Sequence, residues 1–285
     1  MDITWDTNPL IIEFSRGFGL RYYGLLFALA IFLGFFLFDW QIRRAGGAEE
    51  DAQAILLPGL LGTLIGARLG HVLFYNPGRL LADPLWVFQF WHGGLASHGA
   101  LIGLLIAIWY YARHRGQSYV ECLDRFTFSA AVAAVLVRFG NFFNSEIVGR
   151  ANGRDWGVRF PRYDLLPPDQ APLRHPSQLY EAAMGLLILA LLFWADRRLG
   201  REKRPRGVLA ALFITTYFTG RFLVEFVKEY QVFSPEAPLT MGQILSLPVA
   251  VTGAVWLIYR LRHRQPAHWV VTRDKRRVGK TGAKG

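Results

Sequence analysis

Cysteine is almost absent: Cys122 stands alone among 285 residues. That excludes an intrachain disulfide and any cysteine-rich metal site. A secretory leader is not evident either, because "MDITWDTNPLIIEFSRGF" has no basic start, no clean apolar core and no small-residue cleavage site. Neither Gly-x-Ser-x-Gly nor His-Glu-x-x-His occurs, so two common hydrolase signatures are missing. No internal repeat of useful strength is visible, which speaks against a transporter built from duplicated halves. Acidic residues are scarce: 21 Asp and Glu face 32 Lys and Arg, a net charge of +11. Much of the excess sits in short segments between apolar runs and in the tail, which fits membrane orientation rather than nucleic-acid binding.

What the chain does have is apolar length. Hydrophobic residues make up 52% of it and aromatics 15%, with Trp and Tyr often near the ends of apolar runs. Windows of about 17–25 mostly apolar residues predict seven spanning helices in an all-α polytopic membrane protein. They fall near Tyr22–Trp40, Ala52–Phe74, Gly93–Ala112, Arg125–Phe143, Gln178–Ala195, Gly207–Phe226 and Thr240–Tyr259. The fourth to sixth reach full length only by including Arg138, Glu181, Arg221 or Glu225. Period-2 alternation is missing, which removes the closed barrel as the other spanning form. A seven-helix domain over residues 1–262 is thus expected, with a loop or cap over 145–177 and a disordered basic tail over 263–285. Seven spans put the termini on opposite sides. The loops with Arg43, Arg44, Arg113 and Arg115, the run "RRLGREKRPR" and the tail hold about twice as many Lys and Arg as the other side. The positive-inside rule makes that side cytoplasmic, so the amino terminus and the 145–177 loop are expected outside.

With this orientation the costly polar groups converge on the outer half of the membrane. "VRFGNFFNSEIVGR" ends the fourth span with Arg138, Asn141, Asn144, Glu146 and Arg150, and "WHGGLASHGALIG" opens the third with His92 and His98. The second carries Arg68 and His71, and the first opens on Arg21, Tyr22 and Tyr23. The sixth brings Tyr217, Arg221 and Glu225, spaced i, i+4, i+8 on one helix face. The inner half is comparatively bland. Ionisable residues within spans are functional candidates because lipid exposure costs several kcal/mol unless they are paired or wet. Arginines there suit a phosphate-bearing ligand, since guanidinium pairs bidentately with phosphate oxygens. A histidine beside them can move a proton. The glycines around His98 (Gly93, Gly94, Gly99, Gly103) permit close helix approach. The residues fit a phospholipid site that moves protons without a covalent enzyme intermediate, and they go no further.

The motifs themselves go further. "VRFGNFFNSEIVGR", "HGGLASHGALIG", "HPSQLYE" and "GRFLVEF", in this order, resemble the blocks of the prolipoprotein diacylglyceryl transferase family. The resemblance runs from about Leu20 to the last span, with departures at Val137 and Ala100, where the family usually carries glycine. It implies a seven-helix inner-membrane enzyme with its site toward the periplasmic leaflet. Such an enzyme moves the sn-1,2-diacylglyceryl group of phosphatidylglycerol to the lipobox cysteine of a preprolipoprotein signal peptide. A thioether forms and glycerol phosphate leaves, with no metal or other cofactor implied. By motif, His98, Arg138 and Arg221 match the family's essential histidine and arginines. Asn141, Glu146 and Gly149 match further signature positions, and Tyr23 and Tyr217 its functional tyrosines. Asn144, Glu225 and Arg68 join these as substrate-binding candidates, with Glu146 and Glu225 expected to pair with arginines.

Three other readings compete. A lipid or small-anion transporter using the arginines predicts polar groups continuing into the inner half. A metal-dependent hydrolase would need His71, His92, His98 and His175, which lack ligand spacing. A structural scaffold gives no reason for the polar convergence.

Overall fold

The computed structural model describes residues 2–15, 18–89, 94–230 and 237–271. Helices dominate: α1 (Tyr22–Arg44), α2 (Glu49–Gln53), α3 (Leu56–Tyr75), α4 (Pro77–Ala82), α5 (Ser97–His114), α6 (Tyr119–Phe143), α7 (Pro161–Asp164), α8 (Ser177–Arg198), α9 (Val208–Val224) and α10 (Met241–Arg262). Six helical stretches among the described residues are long and apolar enough to cross a membrane: Tyr22–Arg44, Glu49–Tyr75, Tyr119–Phe143, Ser177–Arg198, Val208–Val227 and Met241–Arg262. The protein is therefore a multi-pass membrane protein. The third expected span corresponds to α5, an 18-residue helix that does not meet the same standard. His98 at its start and Arg113 and His114 at its end dilute its apolar character. Conversely, the three spans that needed internal charges to reach full length all form. Their charges are paired inside the protein, as described below, and so do not count against crossing.

The described chain forms two compact units. The first comprises Met1–Phe38 and Asp124–Ala267, and therefore α7 to α10 with most of α1 and α6. Its apolar core joins Phe128 and Ala131 of α6, Ile188, Leu192 and Ala195 of α8, and Leu209 of α9. Ser129 on α6 donates to the Gly34 carbonyl of α1 at 2.6 Å. Local signals set the helix starts. Thr240 and Gln243 form a reciprocal capping box at the head of α10. The head of α9 is capped from another helix, with Asp124 accepting from the backbone N–H of Gly207 at 2.6 Å and of Ala210 at 2.8 Å.

Two small sheets stand beside the helices. β1 (Asp2–Thr4) pairs in parallel with β4 (Gly157–Arg159), which pairs antiparallel with β5 (Leu173–Arg174). β2 (Leu10–Ser15) and β3 (Phe18–Arg21) form a hairpin leading into α1. The parallel pairing puts the amino-terminal segment and the 145–177 loop at the same end of this unit. Trp5 seals the joint, its ring 4.4 Å from that of Phe142. Residues 263–271, expected to be loose with the tail, are ordered in part by the backbone bonds Arg206 N to Gln265 O at 2.7 Å and Ala267 N to Arg204 O at 2.8 Å. Residues 272–285 lie outside the described set.

The second unit comprises Asp39–Leu123 and His268–Gly285. Here α3 and α5 cross with their backbones nearly touching. A Cβ on Gly66, Gly99 or Gly103 would collide with the main chain of the facing helix, so the small-residue approach expected from "HGGLASHGALIG" is present. Trp269 is buried against Gly47, and Gln117 bonds both the N–H and the C=O of Val270. Gly99→Leu should therefore force α3 and α5 apart. The expected cost is about 1–3 kcal/mol or more of overpacking, read as a lowered unfolding midpoint of the detergent-solubilised protein.

Candidate active site

The site of the first unit is built on a strained turn. After α6 ends at Phe143, Ser145 and Ile147 both adopt left-handed backbone, with φ of 53° and 57°. That conformation is costly for a β-branched residue and persists only when the surroundings impose it. They do so from α8: Ser177 Oγ donates to the Ile147 carbonyl at 2.8 Å and Gln178 Nε2 to the Glu146 carbonyl at 2.8 Å. "HPSQLYE" thus holds "NSEIVGR" in place. The carboxylate of Glu146, between the two strained residues, accepts from Asn141 Nδ2 at 2.8 Å and Asn144 Nδ2 at 3.3 Å. A third segment closes the frame. Arg150 donates from its backbone N to the Val227 carbonyl at 2.9 Å and from Nε to the Lys228 carbonyl at 2.8 Å. Its guanidinium lies 3.8 Å above the Tyr230 ring.

A buried charge network lies within this frame. Glu181 on α8, only 2% exposed, is its centre. Arg138 Nε of α6 approaches Glu181 Oε2 to 2.6 Å, off the hydrogen-bond axis, while its Nη1 donates to Asn141 Oδ1 at 3.2 Å. Arg221 Nη1 of α9 stands 4.0 Å from Glu181 Oε1, and Lys228 Nζ stands 3.5 Å from the same oxygen. Lys228 also meets Glu225 Oε2 at 3.3 Å. Three cations therefore contact two carboxylates. Glu146 reaches Arg138 only through Asn141, so one positive charge is left over among the direct contacts. The side chain of Arg138 is 12% exposed and that of Arg221 is 27%, so Arg221 is the more open and more loosely held of the two. An arginine pair with surplus positive charge matches an anionic phosphate.

The sequence profile described as prolipoprotein diacylglyceryl transferase matches residues 9–259. The chain belongs to this family. Among curated relatives, a phosphatidylglycerol–prolipoprotein diacylglyceryl transferase of Chloroherpeton thalassium is 40% identical over 266 residues, covering 92% of this chain and 96% of the relative. Proteins of the same name from Porphyromonas gingivalis and Tolumonas auensis are 38% and 36% identical, covering 90% and 91% of this chain and 94% and 98% of themselves.

The residues expected from the sequence are brought together unevenly. Arg138, Asn141, Asn144, Glu146, Arg221 and Glu225 do gather in one unit. The partners differ from expectation: Glu225 pairs with Lys228 and Glu146 with two asparagines, while the arginines share Glu181. Sequence reading took Glu181 only as part of a span and Lys228 only as loop charge. The signal for Glu181 was available, since it closes "HPSQLYE". Glu225 is seated by Gly242 of α10, where a Cβ would run into its carboxyl group. Tyr23 lies with its ring against Gly140, close to Arg138 on α6. Tyr217, a turn below Arg221, packs against the apolar core and stacks on Phe213 at 5.5 Å.

Two of the expected substrate-binding residues have structural partners of their own. Gly149 is buried where its N–H donates to the His175 carbonyl at 3.0 Å, and a side chain there would meet His175 and the Val227 carbonyl. Its missing Cβ is what lets three segments join. Arg68, in the second unit, is 1% exposed and donates to the carbonyls of Trp86 at 2.6 Å, Val87 at 2.9 Å and Gly94 at 3.3 Å. Its guanidinium also stacks 4.5 Å from the Trp86 ring. These bonds tie α3 to the segment before α5. His98, also in the second unit, is exposed and makes no hydrogen bond, ion pair or ring contact among the described residues. His92 lies outside those residues. In the loop, His175 Nδ1 meets the Tyr180 hydroxyl at 3.2 Å; burial, then the charge of Arg154, holds its pKa below the ordinary range. Among the described residues no three His, Cys, Asp or Glu side chains gather as a metal site.

The far end of the first unit is not bland. Arg125 and Arg204 are fully buried; Arg125 pairs with Glu202 at 2.6 Å, and Arg204 Nε lies 3.8 Å from Asp124 Oδ2. The 13 residues from Arg125 to Arg138 of α6 span about 20 Å. Between the two polar groups lie Phe128, Ala131, Ile188 and Leu192, with Met184, Leu189 and Phe213 around them. That apolar layer does not favour the transporter reading. Glu181→Ala should leave Arg138, Arg221 and Lys228 facing one another. The expected destabilisation is about 3–5 kcal/mol, measured by thermal unfolding in detergent, with Glu181→Gln losing less because it keeps an acceptor.

Proposed function

We propose that this protein transfers the sn-1,2-diacylglyceryl group of phosphatidylglycerol to the lipobox cysteine thiol of a preprolipoprotein. A thioether forms and glycerol phosphate is released. The observation that carries the reading is the pair Arg138 and Arg221, drawn from separate helices to one buried carboxylate, with Arg221 at the limit of ion-pair distance. A bound phosphodiester pairs with both guanidinium groups. Arg138, locked by Glu181 and Asn141, supplies a fixed donor set. Arg221, less tightly held, turns to the phosphate when the lipid enters. As the thiolate sulfur attacks the glycerol carbon, the carbon–oxygen bond to phosphate breaks and its electron pair stays on the phosphate. The two guanidinium groups stabilise that developing charge. By motif, His98 is the candidate acceptor of the thiol proton. Surrounding positive charge raises the thiolate fraction of a substrate cysteine whose free pKa is near 8.5. Because the nucleophile belongs to the substrate, buried Cys122 has no part in the chemistry.

The basic loops orient the chain with its amino terminus and 145–177 segment on the periplasmic side of the inner membrane. In that frame α5 is the seventh span, short by composition but long enough, at about 27 Å for 18 residues.

Incubating the purified protein with phosphatidylglycerol and a lipobox peptide tests the activity, read as a peptide mass gain equal to diacylglyceryl. Arg138→Gln and Arg221→Gln should each lower the rate by about a hundredfold, the scale for removing a donor to transition-state charge. Membrane insertion should remain unchanged. Retention of more than about a tenth of the rate would remove the phosphate role. His98→Gln should abolish transfer, and a variant with near-full transfer would show that the proton goes elsewhere.

A further inference from the structure

Where α8 and α10 end, the first unit holds a cavity of about 260 Å³ lined by Arg198, Leu199, Lys203, Pro205, Arg264 and Pro266. Its walls are fastened together. Pro205 and Pro266 form an isolated bridge, flanked by the backbone bonds of Arg206 to Gln265 and of Ala267 to Arg204. The spanning stretches of α8 and α10 stop at Arg198 and Arg262, so the cavity opens at the level where the chain leaves the apolar layer. It lies at the opposite end of α8 from Glu181.

Neighbouring cations are already neutralised, Arg125 by Glu202 and Arg204 beside Asp124. The three cations of the cavity are not. Among the described residues the side chains of Arg198 and Lys203 make no ion pair or hydrogen bond, and that of Arg264 donates only to the Leu261 carbonyl at 3.1 Å. Three like charges around one hollow repel one another, and an anion in the hollow turns that repulsion into attraction. A hollow at the membrane surface with apolar helix faces beside it has an evident source of anions. α8 exposes Trp194, and α10 exposes Ile258 and Leu261, surfaces on which acyl chains can lie.

We propose that this cavity binds the phosphate of an anionic membrane phospholipid, in the leaflet opposite the Arg138–Glu181 cluster. Arg198, Lys203 and Arg264 hold the phosphate oxygens, and the lipid ties the ends of α8 and α10 together. Basic pockets between helix ends on the cytoplasmic side bind such headgroups by this chemistry.

The test is native mass spectrometry of the full chain in detergent with dioleoyl phosphatidic acid, dioleoyl phosphatidylcholine or inorganic phosphate. Compared with wild type, the triple variant Arg198→Gln, Lys203→Gln, Arg264→Gln should retain one fewer phosphatidic acid. The affinity of the lost site should fall by about fivefold per cation removed, with weaker binding at high salt. Phosphatidylcholine retention should not change, and transfer activity reports that the variant is folded. Lys203→Glu, on an exposed side chain, gives the same comparison should the triple variant fail to insert. Equal phosphatidic acid retention by wild type and variant overturns the proposal. So does an equal loss of phosphatidylcholine, or displacement of the lipid by millimolar inorganic phosphate, which would make this a free-phosphate site.

Discussion

One buried carboxylate organises one end of the first unit. Glu181 on α8 receives Arg138 from α6, Arg221 from α9 and Lys228 from the turn beyond α9. An isolated carboxylate in that position would cost several kcal/mol, and the three cations offset the cost only if their helices stand where they do. Each cation is likewise intolerable there without the carboxylate. Helix positions and charge positions therefore determine one another, and rigidity follows from electrostatics as much as from packing. The strained turn at Ser145 and Ile147, the Gly149 seam and the Gly242 recess all serve to bring main chain close enough for that network to close.

The two arginines are unequal partners in it. Arg138 is anchored from both sides, whereas Arg221 stands at the limit of ion-pair distance and is more open. A donor held from both sides is preorganised, whereas one at the edge of ion-pair distance can reorient at little cost.

Much of this was legible in the chain. Apolar runs gave six of the spans, and the glycines around His98 signalled a close helix approach without naming α3 as the partner, because period and side-chain size are local properties. The polar convergence was legible for Arg138, Asn141, Asn144, Glu146, Arg221 and Glu225, since ionisable residues in apolar runs stand out. Pairing was not. Which carboxylate meets which arginine depends on how α6, α8 and α9 rotate against one another, so Glu181 passed for part of a helix and Lys228 for loop charge. The partners of Arg68 were hidden for a related reason: it bonds main-chain carbonyls 18, 19 and 26 residues away, and carbonyls leave no mark in a sequence. Asp124, Arg125 and Arg204 escaped notice because a charge near a span's end looks like an ordinary flank until its burial is known.

The apolar layer of Phe128, Ala131, Ile188 and Leu192 has a bearing on the cell's energetics. Titratable side chains stacked through a membrane protein make a wire along which protons leak down the electrochemical gradient. Here the wire is cut inside this unit by about two helical turns of hydrocarbon, between the Glu181 network and the Asp124 cluster. Among the described residues of this unit, that layer sets hydrocarbon between the two charged groups and denies protons a side-chain relay from one to the other.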